Sequence, residues 1–356
     1  MKIATARVVC ARARPPLVPS IGAGCLAFLV AITGGSVVPP SAGAADGATM
    51  KIGFATINDP QHEWAKRYKV RLENRTGGRV TVQLFPASQL GSIPRMIEGV
   101  QLGTIESYFG PPDFLVGIDP RFQVLTAPFL FENIDHAFRV IHDKDFLDKF
   151  LALAEAKGIK GAGLIAYAPA SLVSRAPIRT PEDMKGKKFR VLATPIEIAM
   201  MASLGATGVP MPLGEVLPAL QQGALDGVES ALTVFTAFKY YDVVKYHTNT
   251  DHYIVTSMNM VSKKWYDVLP PDVQRAVVEE AQADHAALLA WTKDFYQAGV
   301  KLWKEKTGDG FIELTPAQRE AFRSRMQGVD EKVAQQVPGV QQWLDLLRAK
   351  AKQYAR

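Results

Sequence analysis

Six histidines are the first place to look for metal or acid–base chemistry: His62, His136, His142, His247, His252 and His285. No two of them stand four residues apart, the spacing that puts two imidazoles on one helical face for zinc. The cysteines, Cys10 and Cys25, both fall near the start of the chain and complete no zinc set. Neither the G-x-S-x-G elbow of serine hydrolases nor the G-x-x-x-x-G-K-[ST] phosphate loop occurs. Gly161-Ala162-Gly163 lacks the third glycine of a dinucleotide fingerprint and suits a packed strand better. Carboxylates are scattered among bases, as on a solvated surface. The residue with chemistry to offer is Arg190, in Lys188-Phe189-Arg190-Val191-Leu192. A guanidinium at a strand end beside a cleft holds a carboxylate through two parallel charge-assisted hydrogen bonds. By spacing alone a second reading stays open, a surface arginine beside Lys185, Lys187 and Lys188.

The elements around Arg190 decide whether a cleft exists. Met50–Ala55 is a short apolar strand, and Trp64, Tyr68 and Leu72 recur at i, i+4, i+8 on a following helix. Val80, Val82 and Leu84 alternate as a strand, Ser92–Leu102 is a helix, and Ile105–Phe109 a third strand. This β-α-β-α-β order belongs to a parallel sheet flanked by helices. The segment 133–157 reads as helical, Ile159–Tyr167 as a buried strand and Leu172–Arg175 as another. A second β-α-β series starts near residue 168. It has strands at Lys188–Leu192 and Leu225–Val228 and helices at Pro195–Leu204 and Leu213–Gln222. Tyr253–Ser262 is a long alternating strand. The stretch from about 271 to 306 is one long helix, or two joined by a kink, that spans more than one lobe.

The expected division is therefore two α/β lobes, with parallel or mixed sheets flanked by helices. One lobe takes residues 45–167 plus about 256–290, the other 168–255 plus part of 291–356. Ligands in open α/β sheets sit beyond the carboxyl ends of the strands. Two lobes facing each other make a cleft that closes by hinge motion.

The composition is ordinary for a globular protein, with 47% hydrophobic and 21% charged residues. Residues 1–44 stand apart from it. Lys2, Arg7, Arg12 and Arg14 form a basic start, Cys25–Ile32 is an apolar run, and Ala42-Gly43-Ala44 supplies the small residues of a cleavage site. Basic, apolar, then A-x-A is the order of a secretory signal, cleaved after Ala44. Both cysteines leave with it, so neither disulfide nor thiol chemistry is expected in the mature chain. The formal net charge of +6 falls to +2 once those four bases are discounted. That is no footprint of nucleic-acid binding.

Two stretches then carry a resemblance: Thr-Pro-Glu-Asp-Met-Lys-Gly-Lys-Lys-Phe-Arg-Val-Leu at Thr180–Leu192, and the Gly-Val-Pro-Met-Pro-Leu-Gly-Glu-Val-Leu-Pro segment within Leu204–Glu229. Phe85–Gly91, Met96–Ile105, Ala127–Phe131 and Ser262–Pro270 follow in the same order. Together they resemble the solute-binding proteins of tripartite ATP-independent periplasmic (TRAP) transporters, the DctP type. The resemblance implies a two-lobed, type II-like periplasmic binding protein without a cofactor. It implies a receptor that binds a small organic acid, acts as a monomer and delivers its ligand to the membrane subunits of a TRAP permease.

In such proteins the arginine of K-x-R pairs with the ligand carboxylate, and Arg190 holds that position. Many relatives carry a second arginine about twenty residues earlier, where this chain has Tyr167-Ala168-Pro169-Ala170-Ser171. Leu213 stands where many have phenylalanine, and Ser230 where many have asparagine. One strong cation instead of two favours a monocarboxylate over a dicarboxylate. Asn58 and His62 in the first strand-to-helix loop, Tyr108 at the end of the third strand and Asn259 in the long strand are further candidate contacts. A periplasmic enzyme acting on an organic acid stays open as the alternative, although it needs a positioned acid or base near neutrality. Removing Arg190 is expected to cost affinity and to leave the unliganded fold little changed.

Overall fold

In a computed structural model, described over residues 47–355, eight strands follow one path through the molecule and two more branch from it. The segment read as a secretory signal, with Cys10 and Cys25, lies outside the described residues. The strands are β1 (Ala48–Gly53), β2 (Val80–Phe85), β3 (Ser107–Gly110), β4 (Ile159–Ser174) and β5 (Lys188–Val191). They continue with β6 (Thr207–Pro210), β7 (Gly227–Ala231), β8 (Tyr246–Asn249), β9 (Ile254–Ser262) and β10 (Phe311–Glu313). Their order is β2-β1-β3-β9-β4-β7-β5-β6, with β8 on β4 and β10 on β8.

The first lobe is the β-α-β-α-β unit read from the sequence. Parallel β1, β2 and β3 place Ile52 beside Leu84 and Ser107. The helix Pro60–Arg75 turns its apolar stripe onto them: Trp64 stacks on Phe109 at 3.9 Å and on Tyr68 at 4.7 Å. Antiparallel β9 closes this side of the sheet, with Asn259 opposite Phe109. In the second lobe β5 lies parallel between β6 and β7. The helices Pro195–Ser203 and Leu213–Gln221 are its crossovers. The mixed α/β sandwich of the reading is thus the architecture found.

Two details differ. Ile159–Tyr167 and Leu172–Arg175 are one strand, the 16-residue β4, which pairs with β9 as far as Pro169 and with β7 from Ala170 on. Successive N–H groups point to opposite edges of a strand. Ala170 N–H donates to Tyr253 O on the β9 edge, so the missing N–H of Pro169 falls on the other edge, where pairing starts only at Ala170. No ladder bond is lost, and the proline is tolerated. Second, 133–157 breaks into Ile134–Ile141 and Lys144–Leu151, because Asp143 caps the second helix through its carboxylate on Phe146 N–H. Of the two readings left open for 271–306, the second holds: the helices are Pro271–Gln282 and His285–Thr307. Asp284 between them is left-handed, with φ of 61°, and Arg67 and Arg71 hold its carboxylate at 3.0 and 3.5 Å. The second of the two helices has 23 residues, about 34 Å at 1.5 Å each. It touches β4, β10 and the helices Pro60–Arg75 and Leu232–Ala237, so it reaches both lobes.

Candidate functional site

β5 is covered on both faces and both edges, so its short apolar run Phe189, Val191, Leu192 is core, and Arg190 within it is only 2% exposed. Arg190 sits opposite Val209 of β6 and Val228 of β7. Its Nε donates to Met211 O just past β6 at 2.9 Å, and its Nη1 to Glu229 O in β7 at 3.3 Å. Nη2 and the second N–H of Nη1 have no acceptor among the described residues. That outer edge of the guanidinium is the two-pronged donor a carboxylate needs.

The edge opens into a small cavity between the lobes. The first lobe contributes Ala55, Thr56 and Gln61 after β1, Ile93 at the start of its helix, and Pro111 and Phe114 after β3. The second contributes Arg190, Leu192, Leu213, Ser230 and Val234. Tyr167 of β4 and Val255 of β9 form the back wall. The helix Leu213–Gln221 starts at this wall with no side chain capping its first N–H groups, which favours an anion there.

The polar groups around the cavity are tied together. Tyr167 OH donates to Asp59 Oδ2 at 2.5 Å, and Asp59 Oδ1 caps the helix Pro60–Arg75 through His62 N–H. Burial pushes the Asp59 carboxyl up, and it pushes the Tyr167 hydroxyl well up, with Asp59 adding to the rise. Thr56 Oγ1 donates to Gln61 Oε1 at 2.9 Å, and Gln61 Nε2 to Ser257 Oγ at 2.9 Å.

Behind Arg190, away from the cavity wall, lies a buried acidic group. Glu197 closes a capping box with Thr194 and accepts from Tyr253 OH at 2.9 Å. Burial, then Glu197, pushes Glu229 and Asp113 well above the ordinary carboxyl range, and Arg190 pulls both partly back. His252 lies 3.7 Å from Glu229. Burial holds that imidazole down to about 3, so the histidine side of this contact carries no charge near neutrality. Arg190 is therefore bonded into the fold as well as open to the cavity.

Of the sequence-stated candidates, the cavity brings together Arg190, Ser230, Leu213 and Tyr167. It does not include Asn58, His62, Tyr108 or Asn259. The helix after β1 begins at Pro60, so Asn58 is a left-handed turn residue (φ 53°) bordering a separate hollow with Thr236 and Gly299. His62 accepts from Asn58 N–H and packs on Phe54 at 5.2 Å. The residues after β1 that reach the cavity are Ala55 and Thr56 of the loop and Gln61 of the helix's first turn. Tyr108 alternates with Phe109 and points into the core. Asn259 spends its amide on Ser107 Oγ at 2.8 Å across β3 and β9. The sequence reading also passed over Ile93, Phe114, Val234 and Val255, whose apolar side chains carry no signal that separates a cavity wall from core. Among the described residues no cluster of histidine, cysteine and acid residues suits a metal ion, and no helix is long and apolar enough to cross a membrane.

The sequence pattern of bacterial extracellular solute-binding protein family 7, DctP, matches residues 53–336. The chain belongs to this family. It is 34% identical over 239 residues to the 2,3-diketo-L-gulonate-binding periplasmic protein YiaO of Escherichia coli K12, covering 66% of this chain and 72% of that one. The fold matches a TRAP periplasmic solute-binding protein of Desulfovibrio salexigens with bound orotic acid. The TM-score is 0.82 at 26% identity, over 86% of this chain and 99% of that one. It also matches one of Shewanella oneidensis with bound succinate, at a TM-score of 0.80 and 25% identity over 86% and 99%. The DctP relationship implied by Thr180–Glu229 is thus the one found. The two-lobed architecture of these TRAP receptors is the fold of this family-7 chain.

Proposed function

We propose that this family-7 chain is a periplasmic receptor that closes on a small organic acid and delivers it to a TRAP permease. The observation that carries this is the outer edge of Arg190, buried, positively charged and without a protein acceptor, facing a cavity shared by the two lobes. Proteins similar to it hold diketogulonate, orotate and succinate, and every one of these ligands presents a carboxylate. Tyr167 stands in the segment where many relatives have a second arginine, so one carboxylate is served strongly and a monocarboxylate is the preferred ligand. The cavity wall supplies no group that takes or gives a proton near neutrality. Its titratable members are Arg190 and Tyr167, and the tyrosine is pushed well up. This favours a receptor over an enzyme. The lobes divide near residue 168, where β4 changes partners, and closure turns about that region. The chain acts in the periplasm as a monomer, with the 1–44 segment removed after export, and its small mature charge gives nucleic acid no purchase.

The test is to purify the exported protein, denature it and identify the released small molecule by mass spectrometry, alongside titration of the folded protein with that molecule. Recovery of one unchanged carboxylate that rebinds stoichiometrically is expected. Conversion of the added acid to a product, or a released ligand without an anionic group, overturns the reading.

A further inference from the structure

We infer that the ligand is a monocarboxylate with an apolar body, held by its carboxylate on Arg190 and Ser230 and by van der Waals contact everywhere else. This rests on the receptor reading and adds what the rest of the ligand looks like.

The argument is a count of hydrogen-bonding capacity around the cavity. Five of its lining side chains are polar: Thr56, Gln61, Tyr167, Arg190 and Ser230. Three are engaged with the protein. The Thr56 hydroxyl is given to Gln61 Oε1, the Gln61 amide reaches Ser257, and the Tyr167 proton is given to Asp59. A second carboxylate on that side finds no uncommitted hydroxyl proton, only the other N–H of Gln61 Nε2. The two lining groups with no proton given to the cavity's own network are neighbours across the β5–β7 pair. Arg190 keeps its outer edge, and Ser230 Oγ has no protein partner among the described residues. Donors for one anionic end are therefore concentrated in one place.

The rest of the surface is hydrocarbon. Ile93 and Phe114 from one lobe face Leu213 and Val234 from the other, with Val255 behind. A second carboxylate projecting there meets no base and loses its hydration without compensation. A polyhydroxylated chain loses hydrogen bonds to water that this wall cannot replace. Short branched-chain or single-ring acids have the apolar body that this lining accommodates.

Matched pairs of equal carbon number test the inference on the intact mature protein by isothermal titration: butanoate against succinate, and hexanoate against gluconate, with 3-methylbutanoate and benzoate added. The apolar member of each pair is expected to bind at least about tenfold tighter. Leu213→Asn should narrow or reverse that ratio, with its melting temperature confirming that it folds. Two results overturn the inference while leaving the receptor reading intact. One is succinate or gluconate binding tighter than its partner in an Arg190-dependent manner. The other is a folded Leu213→Asn protein with an unchanged ratio. Binding of none of these acids overturns the receptor reading together with the inference.

Discussion

Replacing Arg190 by alanine and, separately, by lysine separates its two tasks. In the ligand-bound state alanine leaves a carboxylate in a buried cavity with no cation. Truncating one partner of a buried, hydrogen-bonded charge pair costs about 2–5 kcal/mol. At about 1.4 kcal/mol per decade, affinity falls from about 30-fold to several thousand-fold. The same change leaves Met211 O and Glu229 O without their donors, which stand at 2.9 and 3.3 Å in the wild type. It also takes away a cation that pulls on both Asp113 and Glu229. The unliganded protein should therefore melt several degrees lower. Lysine keeps a positive charge for the acids but cannot present two parallel N–H groups. Losing one hydrogen bond of a charged group costs about 1.5–3 kcal/mol, so affinity should drop about tenfold to a hundredfold with a smaller loss in melting temperature. Titration calorimetry against the tightest acid gives the first quantity, and thermal unfolding without ligand the second. An alanine variant that folds and binds within about threefold of wild type refutes the argument, because no other base faces the cavity.

Tyr167→Phe removes the donor to Asp59 at 2.5 Å. It should lower stability by about 1–3 kcal/mol in urea unfolding while leaving acid affinity nearly unchanged, since that proton is already committed. Gly163→Ala places a Cβ 2.6 Å from Ala281 O, where the helix Pro271–Gln282 lies on β4. The overpacking should cost about 1–3 kcal/mol, read in the same assay. Burial holds His247, His252 and His285 down to about 3 from 6.5. Their contribution is lost as pH falls below about 6.5, when the unfolded imidazoles charge. Burial raises Asp59, Asp113 and Glu229 from 3.8, 3.8 and 4.5, so theirs is present in acid and lost as pH rises through the raised values. Just above pH 4.5 the two sets oppose each other, the carboxyls blunting the rise in stability that the histidines give. Glu229→Gln should therefore make the melting temperature climb more steeply with pH in that window. An unchanged slope in a folded variant contradicts this.

Legibility in the sequence followed the chemistry of each position. Trp64, Tyr68 and Leu72 announced their helix because one face of it is buried and the other is wet. β4 did not announce itself as one strand because proline usually ends a strand, and only the change of partner at Ala170 makes Pro169 harmless. Arg190 stood among lysines and looked like surface. What makes it interior is β6 and β7 on either side, which no local window contains, and the family motif supplied that context. Leu213 and Ser230 were reachable through the same motif. Ile93, Phe114, Val234 and Val255 were not, because an apolar side chain facing a ligand and one facing another side chain obey the same preference. Asn58 and His62 marked the right loop but the wrong residues, since a helix starting at Pro60 turns Gln61, not its neighbours, toward the cavity.

β4 is a member of both sheets, its first ten or so residues laddered to β9 and its last five to β7 and β8. No cut in the chain therefore frees one lobe whole. A chimera that imports a foreign second lobe must either import β4 too, and rebuild its neighbour's sheet, or splice in mid-strand. Altering what such a scaffold recognises is accordingly a matter of single replacements around the rim, at positions such as 213 and 230, while the shared strand keeps both halves to one inheritance.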